Sequence, residues 1–422
     1  MNYFLNQKLS RRNAILAGSG LMLGANSIFA EEKKFINPKP AKSLIYIFVN
    51  GGLSQIDSFD PKTREDVKGP TKLIATNVDG IQISHYFPET AKIMDKCCIV
   101  RSNTISTASH FPANYIQHTN YKQRGSTRHP SLGAWLSLKC PSLNPKLPSG
   151  VAISESPQGI GTSPGYLSTK YACLPIGDPD AGLQFSNLPE GISSNRQNRR
   201  AKLAEMMNSE FLKQRAKRTY QDHHDIFMQA RSLIGSSELE VFDIHKEDKK
   251  VIEKYGNNQF GKGCLMARRL VEKRVRFVEV MTSGWDHHGG IAKSLDEMAP
   301  TLDRGISTLI TDLSERGLLE ETLVVVATEF GRTPHINVRG GRDHHPSAFS
   351  QLLAGGGIKG GTVYGETDEL AKLVAKDEVK SRDFFATMAY AMGIDPYDEI
   401  KSNTGRPFTM GNKGKPLTKL FT

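Results

Sequence analysis

The residues that most constrain this fold are 323–328, LVVVAT. They are apolar on both alternations up to the closing threonine, which predicts a strand buried on both faces of a mostly parallel sheet. The run stops at a carboxylate, Glu329, followed by Gly331 and Arg332. Open α/β sheets bind ligands just beyond the carboxyl ends of their strands, where side chains emerge from a rigid support. Arg342, Asp343, His344 and His345 follow, and a second apolar run, 349–354, ends in Gly355-Gly356-Gly357. Acid, arginine, histidine and glycine delivered to strand ends are the composition of a site.

The rest of the chain repeats the pattern. Residues 43–49 (SLIYIFV) read as a buried strand ending at Asn50-Gly51-Gly52, where paired glycines permit a strained turn close to a ligand. Ser54 and Asp57 lie three apart in that loop, so Asp57 is either a functional carboxylate or the cap of a new helix. Residues 88–96 read as helix, 98–100 as a strand, and 101–110 (RSNTISTASH) as the polar loop at its end, offering His110. Residues 148–154 are a further strand candidate. A stretch rich in Gly, Pro, Ser and Asn follows, and the region from about 155 to 250 reads as a cap inserted over the site. Within it, 199–236 is a charged, amphipathic helical stretch with Met206, Phe211, Ile226 and Phe227 at apolar positions. The alternation then resumes with helix at 261–273, strand at 275–281 ending in SGWDHHGG, and helices at 295–316 and 382–392. Helices alternating with buried strands predict one α/β domain over 43–422, its mostly parallel sheet covered on both faces.

The formal charge is +11, and +8 remains without Lys8, Arg11 and Arg12. That residual charge suits an anionic small-molecule or glycan substrate, while the scatter of the basic residues is what a lysine-rich solvated surface would also show, and no nucleic-acid module is present. Arg11-Arg12 precede a short, glycine-containing apolar segment, and residues 1–30 resemble a twin-arginine export signal, with 31–42 as linker. The segment is too short and glycine-rich for a membrane span, and no transmembrane helix is expected in the mature chain. The expected location is therefore periplasmic or otherwise exported. The five cysteines have no CxxC spacing and read as buried small hydrophobes. Subunit association is open.

The histidines decide the chemistry. Five of the twelve (His287, His288, His335, His344, His345) fall between Trp285 and Pro346, in loops that leave strands. Asp286-x-His288 and Asp343-His344 supply carboxylates and imidazoles, the ligand types for zinc or manganese. Histidines bonded to loop carbonyls without metal are the plainer alternative.

The motifs NGGLSQIDSFDPK, SHFPANYIQHTNY, PSLGAWLS, GWDHHGG, TLVVVATEFGRTPHIN and GGRDHHPSAFSQLLAGGGIKGG closely resemble the exported family known as domain of unknown function 1501. The resemblance spans nearly everything after Lys42 and is weakest from about 155 to 250. That family is grouped with the alkaline phosphatase/sulfatase superfamily, which implies an alkaline-phosphatase-like α/β fold. The superfamily places an Asp at the end of the first strand, where this chain has Asn50, with Asp57 as a substitute. Its Asp-His-Gly at a later strand end corresponds to Glu329-Phe330-Gly331. Its remaining metal cluster is similar to Asp286, His288 and His344. The resemblance thus implies one intact metal position, a second depleted by Asn50 and Phe330, and no obvious nucleophile beyond Ser54, Thr104 or Thr107.

These readings define the expectation: an exported, metal-dependent hydrolase of phosphate or sulfate esters. The expected ligands are Asp286, His288, Glu329 and His344, holding one tight divalent ion (zinc, manganese or calcium). Arg332 is expected either to clamp the substrate anion or to fix Glu329, and His110 or Asp57 to move protons. The alternative is a non-catalytic, metal-retaining protein that binds sulfated or phosphorylated glycans at the cell envelope.

Overall fold

Strand β1 (Ser43–Val49) is buried at every position, and its alternating side chains supply two different cores. The computed structural model describes residues 35–155, 159–186, 188, 190–215, 217–234 and 236–422. The expected export signal at 1–30, and the start of the linker, lie outside the described residues. Residues 36–422 form one compact unit.

The remaining strands that matter here are β2 (Cys97–Thr104), β3 (Gly150–Ile153), β4 (Leu174–Ile176), β5 (Phe277–Thr282) and β6 (Thr322–Thr328). They continue with β7 (Gly331–Arg332), β8 (His344–His345), β9 (Phe349–Ala354), β10 (Thr362–Tyr364) and β11 (Val379–Lys380). The main sheet runs β10-β2-β9-β6-β1-β5-β3-β4, with β11 also on β2. Only β9 runs against the rest, antiparallel to both β2 and β6. β7 and β8 form a separate two-stranded ribbon. The expectation of a mostly parallel sheet flanked by helices is met, and β9 makes the sheet mixed.

Helices are α1 (His110–Thr119), α2 (Leu132–Lys139), α3 (Ser194–Gln214), α4 (Arg218–Leu233), α5 (Gln259–Glu272), α6 (Ile291–Glu315) and α7 (Ser381–Ala391). On one face Ile45, Ile47, Val280 and Val326 pack with Leu265 of α5 and Ile306 and Leu309 of α6. On the other, Leu44, Tyr46, Phe48 and Val325 pack with Trp135 of α2 and Phe385 and Met388 of α7. Two buried faces explain why β1 and β6 show no polar alternation.

Several expectations change. The strand at 98–100 extends to Thr104, because neighbouring strands and local hydrogen bonds satisfy its polar end. Ser102 Oγ donates to Asp377 O at 2.6 Å, and Asn103 Nδ2 to Val100 O at 2.8 Å. The single stretch at 199–236 is two helices, α3 and α4, and its apolar residues Met206, Phe211 and Ile226 are exposed. The region 155–250 supplies β4, the edge strand, before those helices begin. The glycines at 355–357 are not at the site. Because β9 runs antiparallel, they turn the chain at the opposite end of the sheet. A Cβ on Gly355 would meet Leu319 O at 2.3 Å and Thr322 O at 2.4 Å, at the start of β6. All five cysteines are free and buried.

Candidate metal centre

The parallel register sets the ends of β1, β5 and β6 side by side, with Val49 opposite both Thr282 and Thr328. Three loops therefore leave the sheet together. Thr328 ties two of them: its Oγ1 donates to Val49 O at 2.8 Å and accepts from Leu53 N at 2.9 Å. Gly51 has φ of 126°, and a Cβ there would lie 2.6 Å from Asp286 N. Only glycine lets the β1 loop approach Asp286 so closely. Helix α1 begins at His110 beside these loops, and the β7–β8 ribbon brings in Arg332 and His344.

Asp286 is the hub. Its Oδ1 lies 3.0 Å from His344 Nε2, 3.2 Å from His288 Nε2 and 2.6 Å from Arg332 Nη2. Its Oδ2 lies 3.3 Å from His110 Nε2, which makes no hydrogen bond. His288 Nε2 and His344 Nε2 face each other at 2.9 Å. Ligand atoms of His110, Asp286 and His344 all lie within 4.8 Å of one another.

The far nitrogens explain how these rings are set. His288 Nδ1 meets Asp343 Oδ1 at 2.7 Å, His344 Nδ1 meets Ala108 O at 2.7 Å, and His110 Nδ1 meets Glu329 Oε1 at 2.9 Å. Carboxylates and carbonyls accept only, so each neutral ring carries its proton on Nδ1 and leaves an Nε2 lone pair. Three such lone pairs turned toward one carboxylate are the donor chemistry of a cation site, and oxygen-held Nδ1 groups are the usual outer partners of metal-binding histidines. A tetrahedral zinc with nitrogen ligands spaces them about 3.3 Å apart. The separations of His288 from His344, and of each ring from its nearer Asp286 oxygen, are 2.9 to 3.3 Å, close to that spacing. Asp286 and the three rings are partly exposed, so water or substrate can reach the centre.

Charges around the hub are strongly coupled. Burial would raise the Asp286 carboxyl, but the hydrogen bond from Arg332, the contact with His344 and the surrounding positive charge, Arg332 foremost, hold it well below the usual carboxylate range. The hydrogen bond to Glu329 raises His110 against the opposing effect of burial. Burial lowers His344, outweighing the opposing pull of Asp286.

The structure brings together Asp286, His288, His344 and His110, four of the residues expected from the sequence. It does not bring Glu329 to the same point. Glu329 is fully buried, and its Oε1 takes Gly51 N at 2.7 Å as well as His110 Nδ1, so it holds the histidine rather than the common centre. Nor does Asp57 join them. Its carboxylate accepts Arg342 Nε at 2.8 Å, Ser54 Oγ at 2.5 Å and Thr71 Oγ1 at 2.5 Å inside the protein. Arg332 donates no hydrogen bond to Glu329. It is fully buried and donates to Gly52 O, Arg342 O, Gly51 O, Trp285 O and Asp286. Thr104 Oγ1 is turned to Glu378, at 3.0 Å. Asn50 accepts Asn114 Nδ2 at 2.8 Å, and Phe330 packs with Ile105, Ala113, Ile116 and Phe349 while its ring lies 4.5 Å from that of His344.

Sequence reasoning missed His110 as a member of the converging set and Asp343 as the residue that orients His288. The adjacency of Asp343 to His344 was the available signal for the second. For the first there was only a histidine opening a helix after a strand.

A family model matches residues 41–421. The chain belongs to the family described as "Protein of unknown function (DUF1501)". No curated protein matches this DUF1501 sequence. Among solved structures, Ps i-CgsB is similar at 12% identity and a TM-score of 0.42, over 89% of this chain and 75% of that one. An alkaline phosphatase from the Antarctic bacterium TAB5 gives 11% identity and 0.37, over 84% and 99% of the two chains. The PsFucS1 sulfatase from Pseudoalteromonas sp. gives 13% and 0.38, over 84% and 68%.

Proposed function

We propose that this DUF1501 chain is an exported, metal-dependent hydrolase of phosphate or sulfate esters that works with one tightly held divalent ion. The observation that carries the reading is the convergence of three Nε2 lone pairs, from His110, His288 and His344, on the Asp286 carboxylate. Imidazoles with one carboxylate suit zinc or manganese, whereas calcium prefers an oxygen shell.

When bound, such an ion polarises an ester oxygen and acidifies a coordinated water. The protein's own groups prepare the place. Arg332 fixes Asp286 from the buried side, while Asp343, the Ala108 carbonyl and Glu329 fix the three rings. The positive end of the α1 dipole lies at His110 and favours an anionic substrate. Residues around 155–250 are proposed as the cap that shapes access to it.

Two observations favour the non-catalytic reading, in which the protein retains a metal and binds sulfated or phosphorylated glycans. The Ser54 hydroxyl is committed to Asp57, and Arg332 is fully buried and donates to Gly52 O, Arg342 O and Asp286.

The test is elemental analysis after loading with zinc or manganese and dialysis, followed by turnover of aryl sulfates and aryl phosphates. One ion per chain, lost in Asp286→Asn and His344→Ala together with turnover, is the expected result. One ion without turnover moves the balance to the binding protein. Two retained ions, or none, contradict the single-ion centre.

A further inference from the structure

Helix α3 (Ser194–Gln214) turns the wrong face outward for a helix of a soluble core. Arg196, Arg199, Arg200, Leu203, Met206 and Met207 recur with the 3.6-residue period and share one stripe. That stripe faces solvent: Leu203 is 60% exposed, Met206 63% and Met207 66%, with Phe211 at 44% beside them. The opposite side is the packed one. Ala201 is 5% exposed, and Glu205 meets Arg231 of α4 at 2.6 Å. So the apolar residues are not core residues caught at an edge.

The charge on this stripe is one-sided. Glu205 is paired with Arg231, and Glu210 meets Lys213 at 3.4 Å. Among the described residues none of Arg196, Arg199 and Arg200 forms an ion pair. Lys202 is exposed on the flank of the stripe. An apolar strip bordered by unpaired basic side chains is the composition of a helix that lies in a membrane interface, its apolar face among acyl chains and its cations at headgroup level. Methionine and leucine suit that burial, and arginine stems reach back to phosphate. No described helix is long and apolar enough to cross a membrane, so attachment here would be peripheral.

We propose that α3 docks this protein onto the surface of an anionic phospholipid bilayer. The apolar residues 203, 206 and 207 insert, and the arginines at 196, 199 and 200 meet the lipid phosphates. Binding therefore needs both the apolar strip and the negative surface, and it weakens as salt shortens the screening length.

The test is co-sedimentation of the full chain with phosphatidylglycerol/phosphatidylcholine vesicles and with phosphatidylcholine vesicles. Wild type is expected to pellet with the anionic vesicles and weakly or not at all with the neutral ones. Replacing Arg196, Arg199 and Arg200 by Gln should lower partitioning about fivefold for each arginine removed. The triple change Leu203→Gln, Met206→Gln, Met207→Gln should abolish it. Because these side chains are exposed, both variants should melt like wild type; Met207→Glu alone serves if the triple variant does not. No binding by wild type, equal binding to neutral vesicles, or full binding by the apolar variant each overturns the proposal. So does a dimer in light scattering that the apolar change dissociates in the absence of vesicle binding, since the face would then belong to a second copy.

Discussion

Replacing Arg332 with lysine tests whether this buried cation positions the site or binds substrate. Arg332 is fully buried and serves acceptors on three loops: Gly52 O at 2.9 Å, Arg342 O at 2.9 Å, Trp285 O at 3.3 Å, Asp286 Oδ1 at 2.6 Å, and Gly51 O. A guanidinium spans these directions because its five N–H groups are splayed in a plane. An ammonium on a flexible stem concentrates its donors at one point. It can keep the charge pair with Asp286, but then Gly52 O and Arg342 O on other edges lose their donors. Each buried acceptor left unpaired costs about 1–3 kcal/mol, so Arg332→Lys should cost about 2–6 kcal/mol. Urea unfolding followed by circular dichroism measures the difference. Metal affinity should also fall about 10- to 100-fold, as when an outer partner of a ligand is lost. A cost below about 1 kcal/mol, with weakened binding of inorganic phosphate or sulfate, would refute the positioning argument and restore the anion clamp.

Three further expectations follow from other parts of the molecule. Asp57 and Arg342 form a fully buried pair, so Arg342→Met or Asp57→Asn alone should cost about 3–5 kcal/mol, and the double variant clearly less than the sum of the two, by urea unfolding. His129 Nδ1 is hydrogen-bonded to Tyr115 Oη at 2.9 Å, and burial, with the Arg406 charge, lowers its pKa from 6.5 to about 4. The unfolded chain therefore takes up a proton below 6.5 that the folded chain refuses. The stability from neutral His129 is fully present above 6.5 and is lost as pH falls toward 4. His129→Asn should flatten the fall of the urea midpoint across that window, and an unchanged slope counts against it. Changing Arg11 and Arg12 to lysine should leave the precursor in the cytoplasm on cell fractionation, whereas normal export would remove the twin-arginine reading.

The sequence by itself determined the sheet and the neighbourhood of the site. Apolar residues on both alternations of 43–49 and 323–328 leave a strand no option but burial on two faces, and residues that follow such strands must gather at one end of a parallel sheet. That logic pointed to the loops that carry Asp286, His288 and His344, and the family resemblance singled out those three. The logic failed wherever direction or partner choice depended on contacts far along the chain. The run 349–354 looks like any other buried strand, yet it pairs antiparallel with β2 and β6, and this sends Gly355–Gly357 to the far end. Arg332, Asp57 and Glu329 looked like free functional groups because sequence shows a side chain's chemistry and not its occupancy. Only the fold brings Gly51, Gly52, Trp285 and Asp286 around Arg332, Arg342 against Asp57, and His110 against Glu329. The exposed face of α3 was hidden for the same reason. An amphipathic period fixes which residues share a face, while the packing of Ala201 and Glu205 decides which face meets water.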